Sequence, residues 1–311
     1  MRIVFIGSGE LGCPAVERLL ASPQDELVAV VSQPDRPQGR HLRLTACPVK
    51  QVAASRGVPV LTPENIGDPA FMDQLAALHP DLIVVAAYGQ FLPRGLLTLP
   101  PNGVINVHPS LLPKYRGAAP IQWAIANGET ETGVSIIYLI EKMDAGDILA
   151  QEHMPIAPYD TTATLAPRLA ALGAELLLRV IEEIRTGVVK PLPQDDALAT
   201  RAPMIRKDDG RLDWSQLAST LHNRIRGFLP WPGCYFVWPH DSMKRVKVLK
   251  TSVEPGTGIP GTVLKSDAQG LVIASGQGAL RLSEVQPESR QPMLAAAFNN
   301  GARLRVGDQL G

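Results

Sequence analysis

The order of apolar runs in this 311-residue chain predicts an α/β fold. A Rossmann-like, mainly parallel sheet domain is expected first, then a small C-terminal β-barrel of OB-like form. Three observations predict it. The first half alternates β-branched apolar runs with segments of helical spacing, the pattern of a parallel sheet covered on both faces. Over residues 188–203 the composition shifts to prolines (Pro191, Pro193, Pro203) and polar side chains with little periodicity, which reads as a linker. Beyond it come short apolar runs, most of them separated by glycines, as in a small barrel. The expected division is residues 1–187, a linker at 188–207, and residues 208–311.

The elements follow in order. Residues 2–7, Arg-Ile-Val-Phe-Ile-Gly, are a strand, and residues 11–20 carry helical spacing. Residues 27–32 read as a buried strand, residues 48–55 as a helix opened by Pro48, and residues 58–62 as a short extended piece. A helix is expected at 69–78 and a nearly continuous apolar strand at 82–87. The largely β-branched run 104–108 is a strand stopped by Pro109 and Pro113. Residues 132–139 alternate again, and residues 164–186 form a long amphipathic helix rich in Leu and Ala. After the linker a helix is expected at 217–226, with Ser215 placed to cap its start. Short strands are expected at 234–237, 246–253, 261–265, 270–274 and 279–285.

Composition narrows the class. Hydrophobic residues make up 45% and charged residues 19%, enough material for a core. The length favours two domains. Thirty basic and thirty acidic residues give a net charge of zero, which argues against a chain coated in positive charge but allows local basic patches. No apolar run reaches membrane-spanning length. The N-terminus enters a strand directly, without the apolar core of a signal peptide, so a cytoplasmic protein is expected. Cys13, Cys47 and Cys234 are scattered, with no zinc spacing. They read as free thiols, and no metal is expected.

Four stretches carry candidate chemistry. Gly7-Ser8-Gly9-Glu10-Leu11-Gly12 matches the dinucleotide fingerprint G-x-G-x-x-G between a strand and a helix. The acid that should bind a ribose at the end of the second strand is represented only by Asp35, beyond a proline and among arginines. A tight turn built for close packing is the better reading. Asn106 and His108 are two apart on one strand, so their side chains share a face at the strand end where parallel α/β sheets hold ligands. The loop Met143-Asp144-Ala145-Gly146-Asp147 offers a carboxylate on a turn of small residues. An amide and a protonated imidazole can both donate to an oxyanion, and an acid can orient the imidazole or relay a proton. From the residues alone, an isolated Asn-x-His at a strand end is more often a hydrogen-bonded turn than a catalytic site, and Asp144 and Asp147 are equally within reach. No Ser or Cys sits in a nucleophile elbow and no HExxH occurs, which suits direct transfer to an amine rather than a covalent intermediate. Finally, residues 244–250, Lys-Arg-Val-Lys-Val-Leu-Lys, hold four basic residues that cannot share one strand face. They read equally as a guarded edge strand or as a contact to a nucleic-acid backbone.

Asn106-Val107-His108-Pro109-Ser110-Leu111-Leu112-Pro113, followed by Arg116-Gly117-Ala118-Ala119-Pro120-Ile121-Gln122, resembles the signature of the formyltransferases that use 10-formyltetrahydrofolate. Residues 143–147 are similar to that family's loop carrying a catalytic aspartate. The stretches 33–40 and 228–233, the latter Phe-Leu-Pro-Trp-Pro-Gly, narrow the resemblance to members acting on methionyl initiator tRNA. The resemblance runs over nearly the whole chain. It implies catalytic roles for Asn106, His108 and Asp144, and folate contacts from Ser110, Leu111, Leu112 and Pro113. It places Tyr88, Gly89 and Leu92 in the wall of a pteridine pocket and gives Arg40 to the tRNA acceptor end. The family's glycine- and lysine-rich continuation of that loop is here His41-Leu42-Arg43-Leu44, which leaves Arg43 as a stand-in. Lys207 and Lys247 are expected on the tRNA backbone. The implied formyl donor is 10-formyltetrahydrofolate, with no NAD and no metal. The implied partner is methionyl initiator tRNA, with a monomer expected and no membrane. The alternative is a relative acting on an amino sugar or a purine precursor.

Overall fold

The structure is a computed structural model that describes residues 1–38, 43–238 and 244–311. It divides into two compact units, residues 1–120, 131–155 and 166–203 in the first and 121–130, 156–165 and 204–311 in the second. Two short pieces that precede the expected linker, 121–130 and 156–165, belong to the second unit.

In chain order the elements begin β1 (Arg2–Gly7), α1 (Cys13–Ala21), β2 (Glu26–Val31), a hairpin of β3 (Arg36–Gln38) and β4 (Arg43–Thr45), α2 (Pro48–Ser55), β5 (Val60–Leu61) and α3 (Pro69–Ala76). Next come β6 (Leu82–Ala86), α4 (Arg94–Leu97), β7 (Val104–His108), α5 (Pro120–Ala126), β8 (Glu131–Tyr138), β9 (Ile148–Pro155) and α6 (Thr162–Thr186). The sheet of the first unit has the order β5-β2-β1-β6-β7-β8-β9. Strands β5 to β7 are parallel, whereas β8 runs antiparallel to β7 and β9 antiparallel to β8. The loop at 139–147 is too short for the crossover that a parallel partner requires, so it can only turn the chain back. Strands β6 and β7 are buried along their whole length, as their unbroken apolar runs require. Strand β9 has no counterpart among the expected elements. It is an edge strand carrying Gln151, Glu152 and His153, too polar to stand out as an apolar run.

The glycine-rich turn after β1 is a packing device. A Cβ on Gly7 would collide with the Ala86 carbonyl, and one on Gly12 would lie 2.9 Å from the Phe5 ring. The backbone N–H groups of Ser8 and Gly9, which a pyrophosphate would need, both donate to the Ala87 carbonyl at 3.2 and 3.3 Å. On β7, Val107 faces Gly173 of α6, whose missing side chain lets the helix come close. Strand alternation therefore turns Asn106 and His108 to the opposite face.

Residues 188–203, read as a linker, are bonded into the first unit. Leu192 exchanges hydrogen bonds with Ile148, and Ala202 N donates to the Arg116 carbonyl at 2.8 Å. These are backbone bonds with no apolar face behind them, so the sequence carries no periodicity there.

The second unit continues with α7 (Ala218–Gly227), β10 (Cys234–Val237), β11 (Arg245–Glu254), β12 (Val263–Asp267), β13 (Gly270–Ala274), β14 (Ala279–Pro287), β15 (Met293–Leu294) and α8 (Ala295–Ala302). The antiparallel order is β10-β11-β14-β13-β12, with β15 beside β14. Residues 308–311 bridge its two edges: Val263 N donates to Asp308 O at 2.8 Å, and Val237 N donates to Gly311 O at 2.6 Å. Both edges thereby find partners. Ser215 does not cap α7. Its hydroxyl donates to Asp213 at 2.6 Å, while Ala218 N at the helix start donates to the Gln277 carbonyl at 3.0 Å. A local Asx turn has captured the expected cap. Among the described residues no helix is long and apolar enough to cross a membrane.

Candidate active site

Asn106 and His108 stand at the carboxyl end of β7, between a parallel and an antiparallel neighbour. Asn106 lies opposite Val85 and Ile137, and His108 opposite Ser135. Both side chains are nearly buried, 9% and 3% exposed. The imidazole is fixed from both sides. Its Nε2 lies 3.0 Å from the Tyr115 carbonyl, which can only accept, so Nε2 carries a hydrogen. Its Nδ1 faces Asp144 Oδ1 across 3.8 Å, close enough for ion pairing and too long for a hydrogen bond. The other carboxylate oxygen, Oδ2, accepts from Gly117 N at 2.8 Å. Of the two acids that spacing left open, the structure brings Asp144 to the imidazole. Asp147 gives its backbone carbonyl to Tyr138 N at 3.0 Å.

This geometry needs unusual backbone. Asp144 has φ 49°, in the left-handed region that few side chains tolerate. Such a conformation costs about 1 kcal/mol or more unless its surroundings enforce it. Gly146 presses so closely on the Tyr138 carbonyl that a Cβ would collide with it. Gly117 has φ 127°, and a Cβ there would sit 2.5 Å from the Ala202 carbonyl.

The segment 110–113 is rigidified by Ser135 and Gln151, which sequence reasoning missed. The Ser135 hydroxyl donates to Ser110 O at 2.6 Å and accepts from Leu112 N at 3.0 Å. Gln151 Nε2 donates to the Leu112 carbonyl and to Ser135 Oγ, both at 2.8 Å. Gln151 comes from β9, the strand without an apolar signature. Ser110 is buried with its hydroxyl on the Lys114 carbonyl, and Leu112 is buried too, so Leu111 and Pro113 are the half-buried members that present surface. Tyr88 and Leu92 sit in a core cluster with Val4, Ile6, Ile83 and Val85. Burial pushes the Tyr88 hydroxyl up to about 12, and that oxygen has no partner among the described residues. Gly89, at φ 83°, lets the chain turn beside Gln33, whose amide donates to the Tyr88 carbonyl at 2.6 Å.

Of the residues expected on nucleic acid, Arg40 lies outside the described residues. Arg43 is described only by its backbone, which pairs with Gln38. Within the second unit Lys207 and Lys247 line one cavity of about 470 Å³ with Trp231, Tyr235 and Arg245. The Arg245 guanidinium lies 4.6 Å from the Tyr235 ring centroid. A register shift between Val248 and Lys250 interrupts strict alternation, so Arg245, Lys247 and Lys250 are all exposed while Val246, Val248 and Thr251 are buried. Among the described residues no cluster of His, Cys, Asp or Glu is disposed to hold a metal ion.

Comparison with known proteins bears on what this arrangement does. Residues 1–181 match the formyl transferase family and residues 204–303 its C-terminal domain. The chain is 48% identical to a methionyl-tRNA formyltransferase of Myxococcus xanthus, over 99% of this chain and 97% of that one. Among solved structures it resembles HypX from Aquifex aeolicus in complex with tetrahydrofolic acid, with a TM-score of 0.62 at 20% identity. That match covers 98% of this chain and 48% of HypX, so the chain spans about half its length. An N-formyltransferase of Helicobacter canadensis, solved with folinic acid and dTDP-3-aminofucose, gives a TM-score of 0.68 at 17% identity, covering 90% of this chain and 98% of that one.

Proposed function

This chain belongs to the methionyl-tRNA formyltransferases, and from that premise we propose that Asn106, His108 and Asp144 form the centre where it moves a formyl group from 10-formyltetrahydrofolate to methionine on initiator tRNA. It is a formyltransferase acting on methionyl initiator tRNA with a folate-type donor. The amino-sugar and purine-precursor acceptors are not favoured, because full-length relatives at 42–48% identity carry the tRNA activity in their names.

One observation carries the assignment of the centre: a strand-end imidazole held between a carbonyl and a carboxylate, with an amide on the same face. The α-amine of methionine attacks the formyl carbon, forming the new N–C bond while negative charge grows on the formyl oxygen. Asn106 donates to that oxygen. So does protonated His108, through Nδ1, since Nε2 is held by Tyr115. Loss of one such donor costs about 2.7–4 kcal/mol of transition-state stabilisation. Asp144 balances the imidazolium charge and, through water, carries the proton from the amine to the departing folate nitrogen as the old C–N bond breaks.

The folate is read as lying against Leu111 and Pro113, with Ser110 and Leu112 holding their backbone, and with Tyr88, Gly89 and Leu92 shaping the pteridine side. Arg40 and Arg43 are read as contacts to the acceptor end. Lys207 and Lys247, joined by Arg245, are read as phosphate contacts that add salt-dependent affinity without sequence information. The same reading makes the protein cytoplasmic, where its charged tRNA substrate is found, and a monomer is the expected state. The test offers 10-formyltetrahydrofolate with charged initiator tRNA, an amino-sugar nucleotide or a purine-precursor amine. Formylmethionine on the tRNA alone is expected. Formyl on a small amine and none on the tRNA would contradict the reading.

A further inference from the structure

The segment expected to be a linker contributes Gln194 to the surroundings of Asp144. Gln194 Nε2 donates to the carbonyls of both Asp144 and Gly146, at 2.9 and 2.7 Å. Its Oε1 accepts from Arg116 Nε and Nη2, at 3.0 and 2.8 Å. Arg116 is anchored to Asp196 at 2.7 Å, and the next residue, Gly117, is the one whose N–H holds Asp144 Oδ2. One carboxamide thus ties the turn that bears the acid to the loop that grips it. The turn needs such a tie, because Asp144 is in the left-handed region and Gly146 leaves no slack against Tyr138. Only an amide fits this place. It supplies two hydrogens for two carbonyls and an oxygen for a guanidinium.

We propose that Gln194 is a positioning residue for the transfer step, fixing the Asp144 carboxylate relative to His108 through both ends of the 144–146 turn. The inference rests on Asp144 being the acid of the site. Gln194 reaches the reaction only through that turn, so its loss acts on turnover and leaves substrate affinity alone. A shift of about 1 Å in a reacting group costs about a hundredfold in rate.

Gln194→Glu tests this, because it keeps an acceptor for Arg116 but turns oxygen towards two carbonyls. Gln194→Ala, which introduces no charge, serves where the glutamate variant fails to fold, and thermal melting shows which variants are native. The expected result is a fall in kcat of about 10- to 100-fold, with KM for tRNA and folate changed by no more than about twofold. Placed on Asp144→Ala, either substitution adds no further loss, as coupled residues require. Wild-type kcat in folded Gln194 variants beside a crippled Asp144→Ala would overturn the inference and leave the acid assigned. Losses that multiply in the double variant would also overturn it, since they mark an independent structural role. Full kcat in Asp144→Ala would remove the acid assignment and the inference together.

Discussion

Asp144 holds its carboxylate towards His108 because one oxygen is pinned by the Gly117 N–H at 2.8 Å, leaving the other to face the imidazole. Replacement by Asn keeps an acceptor for that N–H and removes the negative charge. Asp144→Asn is therefore expected to melt near the wild-type temperature yet lose about two orders of magnitude in kcat, checked by steady-state formylation beside a thermal melt. Gly117→Ala should fail differently. A Cβ 2.5 Å from the Ala202 carbonyl forces the loop to move, so both stability and kcat fall. A variant as stable and active as wild type would refute that account of the loop. At this scale the pairing of Asn106 with His108 was legible, because strand alternation fixes which side chains share a face. The choice of Asp144 over Asp147 came only from the family resemblance, not from spacing. It is made by a left-handed backbone at Asp144 and by a glycine 27 residues away in sequence, neither of which spacing encodes.

Elements with buried apolar faces were legible nearly to the residue, as at β1, α2, β7, β10 and β13. Those held by polar bonds were not. Strand β9, the hairpin β3–β4 and the strap at 188–203 are stabilised by backbone pairing on exposed surfaces, where no apolar period is required. The start of β1 and the end of α6 are joined by a polar knot of this kind. The Asp25 side chain, 2% exposed, accepts from Arg185 Nη2 at 2.7 Å, and it also takes hydrogen bonds from Ser22 and the chain's amino terminus. Burial alone would raise the Asp25 carboxyl, but hydrogen bonds from Arg185, Ser22 and the amino terminus outweigh it and hold it below the usual carboxylate range. A carboxyl depressed on folding stabilises the fold above about pH 4, and this contribution is lost as pH falls through the depressed value. Asp25→Asn is expected to cost about 3 kcal/mol at pH 7, with the gap to wild type narrowing under acid, as read by denaturant titration at several pH values. A gap that is constant or widens towards acid would exclude this role.

For the whole molecule, a net charge of zero conceals an uneven distribution: Lys207, Arg245 and Lys247 gather around one cavity against the single acid Glu288. The sequence offered Lys207 beside the basic run but not Trp231 and Tyr235, which reach that cavity from other parts of the chain. Lys247→Ala is expected to raise KM for tRNA more than it lowers kcat. It should also flatten the dependence of log affinity on log salt by about one unit per phosphate contact removed. An unchanged slope would leave the cavity without a tRNA role. In the proposed mechanism formyl transfer depends on the imidazole at the end of β7. The most direct measurement is the single-turnover rate of formylation of charged initiator tRNA by His108→Ala, with both substrates saturating. The account predicts a rate at least about a hundredfold below wild type in a normally folded protein, whereas a rate within about twofold of wild type would contradict it.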